Sequence, residues 1–571
     1  MPPNAQTCGP NQNAERLKTE GNTFHVTGKY REAYKKYSEA IKEDPTNAVY
    51  YANRAASSLA MKEFMDASSD SQKATELDPT YAKAWGRLAS ARFVRMWTMS
   101  EEAYRSALKC LPTETETITE ADKKLRAQFL EGLQKSKNAK ASNVAFKNAI
   151  TVKQAQGSTL PWQKAAAHRE EFAKAGKYSS AFVILHAYEE FHQGVTSMKS
   201  LAKKPVNGQL GYFGRNDALV GLTNGIMRDS RVFHIDSSDW VDKYNDQVMF
   251  ESTHSNAWTT GGPQTIKQDA VTRLKNQGWD KVRPAISTTI RAWIMRGFMA
   301  QKAQQQHLVA LEYYSQALEV LEWGHRKWED VPTSDRGVVF ESTFIRGVKH
   351  LRLAALFEGC KYNKEDIATW SRDMIAEIDA DPPPFIVTAD PGFLPSFWLY
   401  PKAEALGTLG WYYMQLGLGS NVKEDAFVNF SLSADYYLQA AATYPDDDEN
   451  ALIFLAVVFE AYVFQGKPLK DVFAITAQID RALPNVLKIW ENSPNMDPKR
   501  SNVFAFLEFG YECMNRVEAG TLSLESVVKP KSIVRFESAF EVRLISCLSL
   551  ISNGRINGRH QTSFTFDPCC L

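Results

Sequence analysis

The chain has 571 residues, too many for one hydrophobic core and enough for about two to four domains. With 44% hydrophobic and 23% charged residues, it has the composition of an ordinary globular protein. Lys and Arg number 67 against 66 Asp and Glu, a formal charge of +1, and that balance argues against a large polyanion-binding surface, so no nucleic-acid partner is expected.

The chain opens on Met-Pro-Pro-Asn-Ala-Gln, which lacks the basic-then-apolar pattern of a secretory signal. From about residue 14 the dominant feature is self-similarity. Small residues recur at Ala40, Ala74 and Ala107 with a nearly constant spacing, and Pro45, Pro79 and Pro112 keep the same spacing. Asp44-Pro45-Thr46 and Asp78-Pro79-Thr80 read as near-identical helix terminators, because proline disfavours helical backbone in the residue before it. Between them, apolar and small residues return at helical spacing: Leu17, Gly21, Phe24; Tyr51, Ala55, Leu59; Trp85, Leu88, Ala89. The pattern predicts three two-helix hairpins over 14–113, stacked so that each buries a face its neighbour exposes. A polar helix within 114–140, with Phe129, Leu130 and Leu133 as its apolar side, is expected to cap them.

Residues 141–284 are predicted as a helical linker and an irregular insertion. Between 195 and 285 the chain is rich in Gly, Asn, Asp, Ser and Thr, with short strand-like pieces such as Val232-Phe-His-Ile235. His186 and His192 are six residues apart, off a common helical face, so no metal pair is expected. Gly208-x-x-Gly-x-x-Gly214 lacks the strand-to-helix setting and the Lys-Ser/Thr of a phosphate loop, and no cofactor is expected.

Residues 285–520 are predicted as a degenerate helical-repeat domain. Trp293, Gly297, Ala310, Tyr314 and Ala317 repeat the earlier order within one hairpin. Leu409, Gly410 and Tyr413, then Ser433, Tyr437, Ala440 and Pro445, repeat it across an expanded inter-helix loop. Phe344 to Ile378 and Phe454 to Leu487 read as further helical pairs, and Pro382-Pro383-Pro384 with Asp390-Pro391-Gly392 divides the region in two. The aromatic stripe Trp398, Tyr400, Trp411, Tyr412 and Tyr413 reads as core, and Asp446-Asp-Asp-Glu449 as a charge cluster at the start of a helix. The apolar stretch Leu452 to Phe464 contains Glu460 and is too short to span a bilayer.

The tail, 521–571, lacks steady periodicity and is assigned no fold. Seven scattered cysteines form no disulfide framework or Cys-x-x-Cys knuckle, and Cys569-Cys570-Leu571 does not make a prenylation box. A cytoplasmic location is expected. No Ser/His/Asp, Cys/His or Gly-x-Ser-x-Gly signature appears, so the chain reads as a binding protein and not an enzyme.

Five residues carry the binding expectation: Lys18, Asn22, Asn53, Lys83 and Arg87. Lys18 and Asn22 are four apart, as are Lys83 and Arg87, so each pair shares one helix face. All five fall on the first helices of the three hairpins, which would line the concave side if such hairpins stack into a right-handed superhelix. Converging donors of this kind suit a ligand with two carboxylates, each charge-assisted contact contributing roughly 1.5–3 kcal/mol. After the cost of ordering a short peptide, affinity of about micromolar strength is expected. Arg54 reads instead as a structural ion-pair partner.

A repeat of about 34 residues with two helices and small residues at the crossings resembles the tetratricopeptide repeat. Lys18-x-x-Glu-Gly-Asn22, Asn53-Arg54 and Lys83-x-x-x-Arg87 also match all five positions of the two-carboxylate clamp of tetratricopeptide co-chaperones. The resemblance covers about 100 of the 571 residues. It implies an all-α chain, an N-terminal tetratricopeptide superhelix followed by the larger degenerate region. It further implies that the partner is the C-terminal Glu-Glu-Val-Asp tail of a cytosolic heat-shock chaperone, of the seventy- or the ninety-kilodalton class. Lys18, Asn22 and Asn53 would hold the terminal carboxylate and the last Asp, Lys83 and Arg87 the remaining polar contacts, and Ala56 and Val94 the apolar side chains. Val94 stands where the family often carries an aromatic, so the resemblance does not select between the two chaperones. The C-terminal region would hold a client. The repeats are also similar to the small glutamine-rich co-chaperone of tail-anchored protein targeting, although no glutamine-rich C-terminus is present. Two further alternatives are an enzyme in 150–571 recruited by the repeats, and a scaffold reading an internal acidic motif.

Overall fold

The computed structural model describes residues 12–93, 97–112, 118–147, 160–175, 178–206, 209–359, 364–383 and 390–528. Pro384 and most of the tail therefore lie outside the described residues. Helices α1 (Gln12–Val26) and α2 (Tyr30–Glu43), α3 (Ala48–Ala60) and α4 (Phe64–Leu77), and α5 (Ala82–Phe93) and α6 (Trp97–Lys109) form three successive hairpins. The long α7 (Glu120–Lys147) lies against α5 and α6. The repeated terminators make the same turn twice. The Asp44 and Asp78 carboxylates accept the backbone N–H of Thr46 and Thr80 at 3.0 and 2.9 Å, and each also accepts that threonine's hydroxyl at 2.7 Å. Ala40, Ala74 and Ala107 are fully buried at the crossings. Gly21 makes room for an aromatic ring: a Cβ there would lie 2.6 Å from Cε1 of Tyr37. The same pairing recurs between Gly86 and Phe129 and between Gly132 and Tyr104, which seats α7 on the third hairpin.

The next stretch comprises α8 (Pro161–Ala167), α9 (Arg169–Ala175), α10 (Ser180–Lys199), an antiparallel hairpin of β1 (Ala202–Val206) and β2 (Gln209–Phe213), α11 (Ala218–Arg228), α12 (Trp240–Ser255) and α13 (Pro263–Gln277). The expectation of an irregular insertion within 141–284 is therefore corrected. Its glycines are there for close helix contact: a Cβ on Gly221 of α11 would meet the Glu190 carbonyl and the Gly194 nitrogen of α10, both at 2.6 Å. The strand-like Val232–Ile235 leaves a 3₁₀ turn (Ser230–Val232) with Val232 buried and His234 stacked on Trp162 at 5.1 Å. Gly211 and Gly214 belong to β2 and its exit, and Gly208 lies outside the described residues.

Helices α14 (Trp279–Lys302), α15 (His307–Lys327), the short α16 (Thr333–Arg336), α17 (Ser342–Glu358), α18 (Lys364–Ala380), α19 (Tyr400–Gly419), α20 (Lys423–Thr443), α21 (Glu449–Gln465), α22 (Leu469–Trp490) and α23 (Asp497–Glu518) complete the described chain. The glycine–aromatic pairing returns between Gly297 and Tyr314 and between Gly410 and Tyr437, with the Ser433 hydroxyl bonded to the Gly410 carbonyl at 2.8 Å. The expanded loop expected here is absent. α19 and α20 are 20 and 21 residues long and joined by residues 420–422 alone, so the extra length is helical. Apart from β1 and β2 the described fold is all-α, and a single apolar core runs from Trp162 to Leu507. Among the described residues, no helix is long and apolar enough to cross a membrane.

The Asp446–Glu449 cluster does more than start a helix. Asp448 caps α21 through the Asn450 N–H at 2.8 Å, and it also accepts the Tyr400 hydroxyl at 2.6 Å. The half-buried Arg231 pairs with Asp229, Asp448 and Glu449 at 2.7, 2.8 and 3.1 Å and lies 3.8 Å over the Trp490 ring. Asp447 accepts the Ser180 N–H at 2.7 Å. One ionic hub thus joins α10 and the turn after α11 to the start of α21, far along the chain.

The repeats join this body through a second helix of a hairpin. Met65 on α4 packs against the main core. The buried Asp66 accepts the Gly262 N–H at 3.2 Å and the Thr265 hydroxyl at 3.3 Å at the start of α13. The first helices of the hairpins, α1, α3 and α5, stack on one another away from that contact.

Candidate peptide-binding groove

The candidate groove is the face shared by α1, α3 and α5, the first helices of the three hairpins. α1 carries Lys18 and Asn22, α3 carries Asn53 and Ala56, and α5 carries Lys83 and Arg87. Three of the five predicted polar residues are joined by hydrogen bonds. Asn53 Nδ2 donates to Asn22 Oδ1 at 3.2 Å, and Arg87 Nη1 donates to Asn53 Oδ1 at 3.4 Å. Each bond spans adjacent repeats, so the three first helices are registered by three of the predicted site residues. Tyr37 completes the row by donating its hydroxyl to Asn22 Oδ1 at 2.8 Å. Burial pushes the Tyr37 phenol up to about 12, which keeps it a donor.

The two lysines stand one turn before Asn22 and Arg87 on their helices. Lys18 is held by Glu15 at 2.5 Å, and that carboxylate also accepts the Tyr50 hydroxyl at 2.8 Å. Both bonds, the one from Lys18 foremost, hold the Glu15 carboxyl below its ordinary range. Lys83 is exposed and makes no ion pair among the described residues. Ala56 is half-buried three residues after Asn53, a position suited to an apolar contact. Val94 lies outside the described residues.

Arg87 is the electrostatic feature of the site. Burial pulls its guanidinium below its ordinary value, and the groups that offset this are the Tyr81 and Tyr37 hydroxyls, not carboxylates. A half-buried cation without a counter-ion is costly in free energy, and an arriving carboxylate relieves that cost. Arg54, one residue after Asn53, is the opposite case. It forms a two-point pair with Asp70 at 2.8 and 2.6 Å and donates to Ser38 at 3.0 Å, so it fastens α3 to α4 and α2.

Sequence reasoning missed Tyr37, His25 and Ser57. His25 follows Lys18 by seven residues on the same face of α1, and its Nδ1 lies 3.0 Å from the Ser57 hydroxyl of α3. Burial, then the Arg87 charge, keeps its imidazole below the usual range. The spacing 18, 22, 25 was the available signal. Among the described residues, no group of three or more His, Cys, Asp or Glu side chains is placed to hold a metal.

No protein-family model matches the chain. Over its N-terminal region the chain is homologous to tetratricopeptide co-chaperones. It is 41% identical over 111 residues to small glutamine-rich tetratricopeptide repeat-containing protein 2 of Saccharomyces cerevisiae, a match covering 19% of this chain and 32% of the yeast protein. It is 36% identical over 101 residues to the heat-shock protein cognate co-chaperone sgt12 of Aspergillus fumigatus, covering 18% of this chain and 30% of that protein. The matched part therefore spans about a third of the length of these relatives. Among solved structures, the first tetratricopeptide domain of Spaghetti bound to the HSP90 peptide SRMEEVD is 29% identical, covering 24% of this chain and 99% of that one with a TM-score of 0.21.

Proposed function

We propose that the chain is an adaptor that grips the acidic C-terminal tail of a cytosolic heat-shock chaperone of the seventy- or ninety-kilodalton class, with a client or second partner held by the helices beyond residue 160. Asn22, Asn53 and Arg87 form the floor of the clamp, Lys18 and Lys83 its cationic sides, and Ala56 its apolar contact, with Val94 as a further apolar candidate. The observation that carries this reading is the Arg87 guanidinium, half-buried on the shared face, bonded to Asn53 and without a carboxylate partner among the described residues. The co-chaperone relatives of the repeats support the choice of partner. Function is tethering: whatever the C-terminal body holds is raised in effective concentration beside the chaperone, in the cytoplasm, without chemistry on either.

The test is calorimetric titration of the full chain with a peptide ending in Glu-Glu-Val-Asp. Binding of about micromolar strength is expected, weakened about tenfold or more by Lys83→Ala or Asn53→Ala. Amidating the peptide's C-terminus should weaken it as well. Unchanged affinity in both variants would overturn the clamp, and indifference to amidation would favour recognition of an internal acidic motif.

A further inference from the structure

We infer that His25, seated on Ser57, is an additional specificity-determining contact of the groove and takes up a proton when an anionic peptide end binds beside Arg87. This rests on the clamp reading above. His25 is three residues after Asn22 on α1 and Ser57 is four after Asn53 on α3, so the pair occupies the next turn of the same two faces. His25 Nδ1 and Ser57 Oγ are 3.0 Å apart, and Ser57 Oγ is 3.5 Å from the Asn53 carbonyl. With the Ser57 hydroxyl donating to that carbonyl, its oxygen accepts from Nδ1–H, and Nε2 is left as the basic nitrogen.

The groups facing the imidazole come from three other helices. α2 presents the Tyr30 ring edge-on at 5.2 Å, α3 presents Ser57, and α5 presents Arg87. The one charge acting on it among the described residues is that of Arg87, and it disfavours imidazolium. A carboxylate settling on Arg87 cancels that repulsion and adds an attraction of its own. The imidazole then gains a proton at Nε2 and becomes a cation one turn beyond the Asn22–Asn53 floor. Linkage makes the converse true: a lower pH tightens the hold on an anionic end, and leaves a neutral end unaffected. The groove so built discriminates by ligand charge beyond the five clamp positions.

The experiment is calorimetry on the full chain with an N-acetylated peptide ending in Glu-Glu-Val-Asp, whose own carboxylates stay ionised throughout. Titrations in two buffers of different ionisation enthalpy, from about pH 8 to about pH 6, report proton uptake. Affinity is expected to rise several-fold across that range with net uptake, about tenfold for each unit by which binding raises the imidazole's value. In His25→Gln, which keeps a polar side chain but cannot titrate, both the uptake and the pH dependence should vanish. Binding without uptake in the parent chain, or equal uptake in His25→Gln, overturns this inference and leaves the clamp standing. Failure of the parent chain to bind at any pH overturns the clamp and this inference together.

Discussion

Tyr37 donates its hydroxyl to Asn22 at 2.8 Å while its ring fills the space left by Gly21, so one residue both packs the first hairpin and orients an amide of the candidate groove. Tyr37→Phe keeps the ring and removes the donor, leaving the Asn22 amide freer to turn. Peptide affinity is expected to fall by about 0.5–1.5 kcal/mol, roughly two- to tenfold, with the unfolding midpoint nearly unchanged. Calorimetry and a urea titration on the same sample separate the two effects.

Gly21→Ala and Gly221→Ala test two kinds of close contact. The first sets a methyl 2.6 Å from a Tyr37 ring carbon, and the second sets one 2.6 Å from backbone atoms of α10. A ring can tilt, whereas the backbone of a packed helix cannot. Each substitution is expected to destabilise by about 1–3 kcal/mol or more, Gly221→Ala at the upper end, as read from the shift in urea midpoint.

Asp66 gives the junction between repeats and body a pH dependence. Burial, then the neighbouring Asp70, Glu63 and Glu319, pushes its carboxyl up to about 7 from an unfolded value of 3.8. A carboxyl raised in the folded state is bound to its proton there, so its contribution is complete below the unfolded value and is lost as pH rises through about 7. Unfolding midpoints of the full chain should therefore decline between about pH 5 and about pH 8, and Asp66→Asn should flatten that decline. An identical slope in the variant would count against the assignment.

Arg231 stands at the opposite extreme, a cation satisfied three times over. Arg231→Met leaves Asp229, Asp448 and Glu449 buried without their common counter-ion and is expected to cost about 3–5 kcal/mol. Loss of the unfolding transition at ordinary temperature, or a large fall in its midpoint, is the readout.

The repeats were legible because their period is carried by residues with one local job each: alanine at a crossing, Asp-Pro-Thr at a helix end, glycine beneath an aromatic. Lys18, Asn22, Asn53, Lys83 and Arg87 stood out as polar residues on the first helices, and the hydrogen bonds that join Asn22, Asn53 and Arg87 across the repeats have no sequence period. The region around 195–285 reads as irregular in sequence because Gly194, Gly221 and Gly225 look like loop punctuation in one dimension and act as close-approach sites in three. Likewise, the short link between α19 and α20 reads as an expanded loop because the aromatic period slips while the helices simply grow longer. Nothing local in Asp446-Asp-Asp-Glu449 announces a partner as far back in the chain as Arg231. Long-range ion pairing has no sequence period, which is why the cluster reads only as a helix start.

Because α4 is fastened to the start of α13 by Met65 and Asp66, the cradle formed by α1, α3 and α5 has a set heading relative to the larger body. A polypeptide end caught there would leave along one direction rather than swinging on a tether. The distance and angle between the two gripped molecules would then be a property of this chain's own architecture, altered by loosening a single buried carboxyl.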